Sequence, residues 1–155
     1  MAVRVQAEDF SIEAEIGALT RGRTTIGGVA SFIGLVRDMA GGESIRSMTL
    51  EHYPAMADQM LAEIEAEAKQ RWSLDASLIV HRYGRLKPGD RIVLVITASA
   101  HRGDAFEACQ FLMDWLKTQA PFWKKEETST ATRWVEARAS DDDAAERWLS
   151  EKTNE

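Results

Sequence analysis

The chain has 155 residues, 45% hydrophobic and 28% charged, which suits one ordinary domain whose core needs no disulfide or metal staple and excludes a largely disordered state. Its formal net charge of −6 disfavours generic binding to nucleic acid or to an anionic membrane surface. One cysteine allows neither an internal disulfide nor a Cys-rich zinc site; with no signal-like N-terminus and no apolar run of spanning length, the expected setting is reducing and cytoplasmic.

In chain order, residues 3–7 read as a short strand and Ser11–Leu19 as a helix whose Ile12, Ile16 and Leu19 share a face. Thr24–Val36 is β-branched, aromatic and glycine-rich, which predicts a strand with close backbone approaches at Gly27, Gly28 and Gly34. Beyond the Ala40-Gly41-Gly42 turn, Ile45–Tyr53 reads as a second strand, so 24–53 is expected to form one long hairpin. Pro54 suits the first turn of a helix running to about Arg71, with Ala57, Leu61, Ile64 and Ala68 as its apolar stripe. Leu78–Tyr83 is a strand, and Lys87-Pro88-Gly89-Asp90 a turn. Arg91–Ser99 is apolar almost throughout, as a central strand covered on both faces should be. A helix from about Gly103 to Thr118 follows directly, and Pro121 stops it. Phe122–Glu127 and Arg133–Ala137 form a last hairpin, and Asp142 caps a short helix ending near Leu149. Strands and helices alternate while hairpins are frequent, so the class is α+β rather than a doubly wound parallel sheet. No repeat, linker or phosphate-binding Gly-rich loop is present, and 1–155 is expected to be a single domain with a charged tail from about 141.

Positive charge is placed rather than spread. Trp115–Lys125 holds three lysines and no acid, whereas Glu126–Glu155 holds nine acids and four bases. His101 and Arg102 fall where the buried strand gives way to a helix, and a cationic pair at a helix N-terminus serves an anion better than it serves the helix. In that helix Ala105, Cys109, Leu112 and Leu116 form a core stripe, and Phe106, Gln110, Met113 and Lys117 an adjacent one. If 122–127 runs back beside the helix end, Lys124 converges with Lys117. Two such amines disfavour each other's charge; a neutral one can act as a base, and a charged one can stabilise an oxyanion or a phosphate. The plainer alternative is that they are solvated lysines complementing the helix dipole. Arg37 ends the glycine-containing strand and suits bidentate phosphate or carboxylate contact, or is a solvated strand-end residue. His52 and His81 have no metal-like partners in sequence and read as packed or surface histidines, and Cys109 as an inert buried thiol. The residues alone reach an α+β protein with a cationic pocket for an anionic ligand.

Four stretches carry a resemblance: SFIGLVRD (31–38), LEHYPAMADQML (50–61), RYGRLKPGDRIVLVITASAHRGDAFEAC (82–109) and LKTQAPFWKKE (116–126). Together they resemble the large, catalytic subunit of molybdopterin synthase, over nearly the whole chain. The resemblance implies an α/β hammerhead fold with an additional antiparallel β subdomain. It implies a sulfurtransferase that converts cyclic pyranopterin monophosphate into molybdopterin by forming a dithiolene. The sulfur comes from the C-terminal thiocarboxylate of a small ubiquitin-like subunit, and no metal or other cofactor is implied. The assembly implied is a homodimer of large subunits with two small subunits, a heterotetramer. Lys117 and Lys124 match the family's two active-site lysines. Arg37, His101 and Arg102 match its anion-binding set, Lys124, Lys125 and Glu126 line the same pocket, the backbone near Leu35 and Val36 approaches the substrate, and Arg138 is a further basic position. Some of these residues belong, by the same resemblance, to a second protomer's pocket. Lys117 is expected to stabilise the tetrahedral oxyanion at the thiocarboxylate carbon or to transfer a proton, and Lys124 to assist at the pterin. The competing reading is a non-catalytic adaptor that docks the tail of a ubiquitin-like protein through the same lysines. A nucleic-acid-binding domain is disfavoured by the acidic charge.

Overall fold

The computed structural model describes residues 2–40, 42–135, 142–146 and 148–149. The elements run β1 (Ala2–Gln6), α1 (Ile12–Thr20), β2 (Gly28–Leu35), β3 (Met39–Ala40), β4 (Glu43–His52), α2 (Pro54–Arg71), β5 (Ala76–Arg82), β6 (Gly84–Leu86), β7 (Arg91–Ser99), α3 (Arg102–Thr118), β8 (Phe122–Thr128) and β9 (Thr132–Val135). This is the α+β class expected. Among the described residues no helix is long and apolar enough to cross a membrane.

One sheet has the order β1-β5-β7-β2, with β1 parallel to β5 and the other pairs antiparallel. Its side chains alternate between two cores, as the two-residue period of a strand requires. Ile79, Val93 and Val95 face Leu61, Ile64 and Ala68 of α2 and Ala105, Cys109 and Leu112 of α3. Leu78, Val80, Leu94 and Ile96 pack instead with Phe10 and with Ile12, Ile16 and Leu19 of α1. Strand β7 is therefore covered on both faces, which is why its sequence is apolar without alternation. Leu112 is fully buried, so Leu112→Ala should cost roughly 2–5 kcal/mol.

The second sheet is antiparallel, with the order β3-β4-β8-β9 and β6 added to β4. The β8–β9 hairpin matches the sequence expectation. The long 24–53 hairpin does not form. β2 pairs with β7, Gly28 opposite Ser99 and Ile33 opposite Leu94, while β4 pairs with β8. Composition predicted two strands correctly but not their neighbours, because β-branched and aromatic residues mark a strand without saying which strand lies alongside.

Glycines mark where the two ends of β2 meet their surroundings. A Cβ at Gly27 would stand 2.1 Å from the carbonyl oxygen of Ala100, and one at Gly34 would meet Val93 Cγ1 at 2.8 Å. Gly27 N–H also donates to Ser99 O at 2.9 Å. This contact holds the start of β2 against the junction between β7 and α3. Residues 142–146 and 148–149 are helical, as expected there. Trp148 packs edge-on against Trp72 and Phe111 and donates its Nε1–H to Asp114 at 2.6 Å.

Candidate active site

Helix α3 ends one turn before Pro121, and the chain doubles back into β8. Lys117 lies in the last turn of the helix and Lys124 on the returning strand. Both line a single cavity of about 900 Å³ between the two sheets, a volume suited to a small-molecule ligand. Its walls come from Phe32, Ile33 and Leu35 of β2, Ile45 and Met48 of β4, and Lys124 and Glu126 of β8. Arg37 follows β2, and Arg133 comes from β9. Four cations (Arg37, Lys117, Lys124, Arg133) and one carboxylate (Glu126) line it among the described residues. That concentration of positive charge stands out in a chain of net charge −6. Glu126 is 6% exposed and ion-pairs with Arg133 at 3.5 Å, which anchors the hairpin side of the cavity.

Alternation along β8 separates neighbours. Lys124 and Glu126 face the cavity, whereas Lys125 is not part of its lining and holds its Nζ 4.8 Å from the Trp134 ring centroid. Leu35 lines the cavity, but Val36 is buried outside it, with its N–H bonded to Asp90 O and its carbonyl to Gly89 N–H. Arg37 also borders a shallow groove with Pro88 and Gly89. His101 and Arg102 do not join this cavity within one chain. His101 is the N-cap of α3 and Arg102 its first residue, both exposed, and the helical rise over the fifteen steps to Lys117 puts the two about 23 Å apart along the axis. Exposed Phe106 lies one turn along α3 from Arg102, and Gly28 packs near the Arg102 backbone, a would-be Cβ 3.6 Å from its Cα. Arg138 lies outside the described residues.

His81, expected to be a packed or surface histidine, is packed, and it also lines the cavity. Its ring stacks on Phe122 at 3.8 Å between centroids, 11° from parallel. Nδ1 lies 2.8 Å from the carbonyl oxygen of Arg82, so Nδ1 carries the proton, because a carbonyl can only accept. Burial holds the imidazole well below its ordinary range, to about 4, and the charges of Lys124, Lys117 and His52 add to that against the opposing effect of the Arg82 bond. The available sequence signal was a histidine directly after the apolar run Leu78–Val80, near the end of β5. Cys109, on the opposite side of α3 from solvent, is pushed up to about 11 by burial and is an inert thiol.

A family model described as MoaE protein matches residues 5–119. The chain belongs to the MoaE family. It is 56% identical over 146 residues to the molybdopterin synthase catalytic subunit of Ralstonia nicotianae, covering 94% of this chain and 83% of that one. The structure of the molybdopterin biosynthesis MoaE protein from Burkholderia ambifaria superposes with a TM-score of 0.81 at 51% identity, covering 96% of this chain and 98% of that one. The X-ray structure of molybdopterin synthase from Staphylococcus aureus gives 0.78 at 30% identity, covering 85% and 95%. The family expected from the sequence is thus the family found, and its members share the fold described above.

Proposed function

We propose that this protein is the catalytic subunit of a molybdopterin synthase working in the cytoplasm. It takes sulfur from the C-terminal thiocarboxylate of a small ubiquitin-like subunit and builds the dithiolene of molybdopterin on cyclic pyranopterin monophosphate. The observation that carries this reading is the meeting of Lys117 and Lys124 in one cavity lined by cations, in a chain whose relatives include a named catalytic subunit of that synthase. A protein named as a subunit works within a larger assembly, which supports a partner protein here.

The chemistry suits the lining. The substrate brings a phosphate, and Arg37 offers the planar donor fork that such a group needs. When the acyl carbon of the thiocarboxylate becomes tetrahedral, Lys117 stabilises the oxyanion, and a low-dielectric cavity strengthens that attraction. Lys124 assists proton transfer at the pterin. Glu126 holds Arg133 in place, and Lys125, Val36 and Leu35 set the backbone around the pocket. His101 and Arg102, at the far end of α3, serve the cavity of a second copy in a homodimer. Arg138 extends the same basic set. Exposed Phe106 and Val29 beside that pair, and an edge of β2 that no strand among the described residues covers, support association of two copies. One small subunit on each copy completes a heterotetramer.

Reconstitution with thiocarboxylated small subunit and cyclic pyranopterin monophosphate tests the reading, scored for molybdopterin and for the half-sulfurated intermediate. Product formation that depends on this chain is expected. A stable complex with the small subunit and no product would replace the enzyme by an adaptor.

A further inference from the structure

The cavity's cations can only donate hydrogen bonds, and its carboxylate is engaged with Arg133. Thr118 commits its hydroxyl proton to the Asp114 carbonyl at 3.0 Å, which leaves its oxygen able to accept at the end of α3. His81 differs from the charged groups, and unlike Thr118 it presents an aromatic nitrogen in a fixed plane. With its proton on Nδ1, its Nε2 is a bare lone pair, and no hydrogen bond reaches that atom from the described residues. Among those residues no sealed side-chain nitrogen or oxygen lacks a partner, so Nε2 opens onto the cavity that His81 lines. The ring is fixed by the Arg82 carbonyl and by the Phe122 stack, which His52 extends on a further ring contact of 5.7 Å. Orientation is therefore set before any ligand enters.

We propose that His81 is a specificity-determining residue: its Nε2 accepts a hydrogen bond from an N–H of the pterin, so the cavity selects a ligand that carries a donor as well as an anion. This rests on the function proposed above. A carboxylate in the same place would pair with the lysines, and another cation would repel them. A neutral imidazole beside Lys117 and Lys124 stays an acceptor at working pH, since burial keeps it unprotonated. The charges hold the phosphate, and the lone pair distinguishes a pterin from any other small anion.

The test compares wild type with His81→Asn, His81→Phe and His81→Gln by calorimetric titration with cyclic pyranopterin monophosphate and, separately, with sulfate, which has no donor. Asn keeps a donor for the Arg82 carbonyl and Phe keeps the stack, so two independent variants remove the Nε2 acceptor, with folding checked by thermal melting. Pterin affinity should fall about 5- to 10-fold in both, the loss of one hydrogen bond to a neutral acceptor, with sulfate affinity changed less than about twofold. His81→Gln, which returns an acceptor, should recover most of the loss, and in turnover the apparent KM should move more than kcat. Equal losses for sulfate and pterin, or unchanged pterin affinity, would overturn the role of His81. Failure of the wild type itself to bind the pterin would overturn both this and the function on which it rests.

Discussion

The imidazole of His81 and the ring of Phe122 lie face to face at the floor of the cationic cavity, 3.8 Å apart. The contact makes a buried histidine part of the fold's stability. Its folded-state value of about 4 lies below the ordinary 6.5, chiefly through burial, with Lys124 of β8, Lys117 of α3 and His52 of β4 as the facing charges. Between those two values the unfolded chain binds more protons, so stability rises with pH and is lost on acidification through that window. Across the whole window the loss is roughly 3 kcal/mol, of which about 2 kcal/mol falls above pH 5. Denaturant unfolding at pH 7.5 and pH 5 should show this loss in the wild type and a smaller one in His81→Phe. Equal pH slopes would refute it.

Glu65 behaves in the opposite sense. It is buried on α2, where burial raises its carboxyl above the usual range against the opposing hydrogen bond from Ser77 Oγ at 2.7 Å. A raised folded value means that the group favours folding at low pH and that this contribution is lost as pH rises through it. Glu65→Gln keeps an acceptor for Ser77 without the buried charge. It should stabilise the protein by about 1 kcal/mol at pH 8, with less gain at pH 5, measured by urea unfolding.

Lys117→Ala should lower molybdopterin formation at least about 100-fold, the usual cost of losing one oxyanion-stabilising group, while the melting temperature and small-subunit binding hold. Full turnover with purified thiocarboxylated partner would remove Lys117 from the chemistry.

The placement of Arg102 about 23 Å along the helix from Lys117 gives a sharper test of the proposed site shared between two copies. Arg102→Ala should raise the apparent KM for the pterin more than it lowers kcat. Co-expressed Lys117→Ala and Arg102→Ala chains should then regain roughly a quarter of wild-type activity, because half the dimers are hybrids with one of two sites intact. No recovery in purified hybrids would mean that both residues serve the same copy.

Gly27→Ala should destabilise by roughly 3 kcal/mol or more, since its Cβ would stand 2.1 Å from the Ala100 carbonyl oxygen. A fall in melting temperature of less than a few degrees would show that the β7–α3 junction yields easily. It should also weaken the pterin, because the displaced backbone precedes His101 and Arg102.

Much of this arrangement was legible in local pattern. Arg91–Ser99 announced a doubly covered strand, and the Ala105, Cys109, Leu112 and Leu116 stripe announced the buried face of α3. The spacing of Lys117 and Lys124 around Pro121 was enough to bring both to one cavity, since a helix end, a turn and a returning strand leave little freedom. Pairing was not legible in the same way. Residues 24–53 looked like a hairpin because sequence neighbours usually pair, yet β2 found β7 and β4 found β8. His81 was read as a packed or surface histidine, but its place in the cavity was not legible for a related reason: the stack on Phe122 and the cavity walls are made by residues far away in sequence.

Helix α3 carries basic groups at both ends, Arg102 at its start and Lys117 in its last turn. Such a rod tolerates exchange of its surface residues far better than a change of length. One inserted residue would carry Lys117 forward by about 1.5 Å and swing it through about 100° relative to the first turn, turning the amine out of phase with the apolar stripe that seats the helix. The number of residues in α3 is therefore as strict a requirement as the identity of the side chains at its tips.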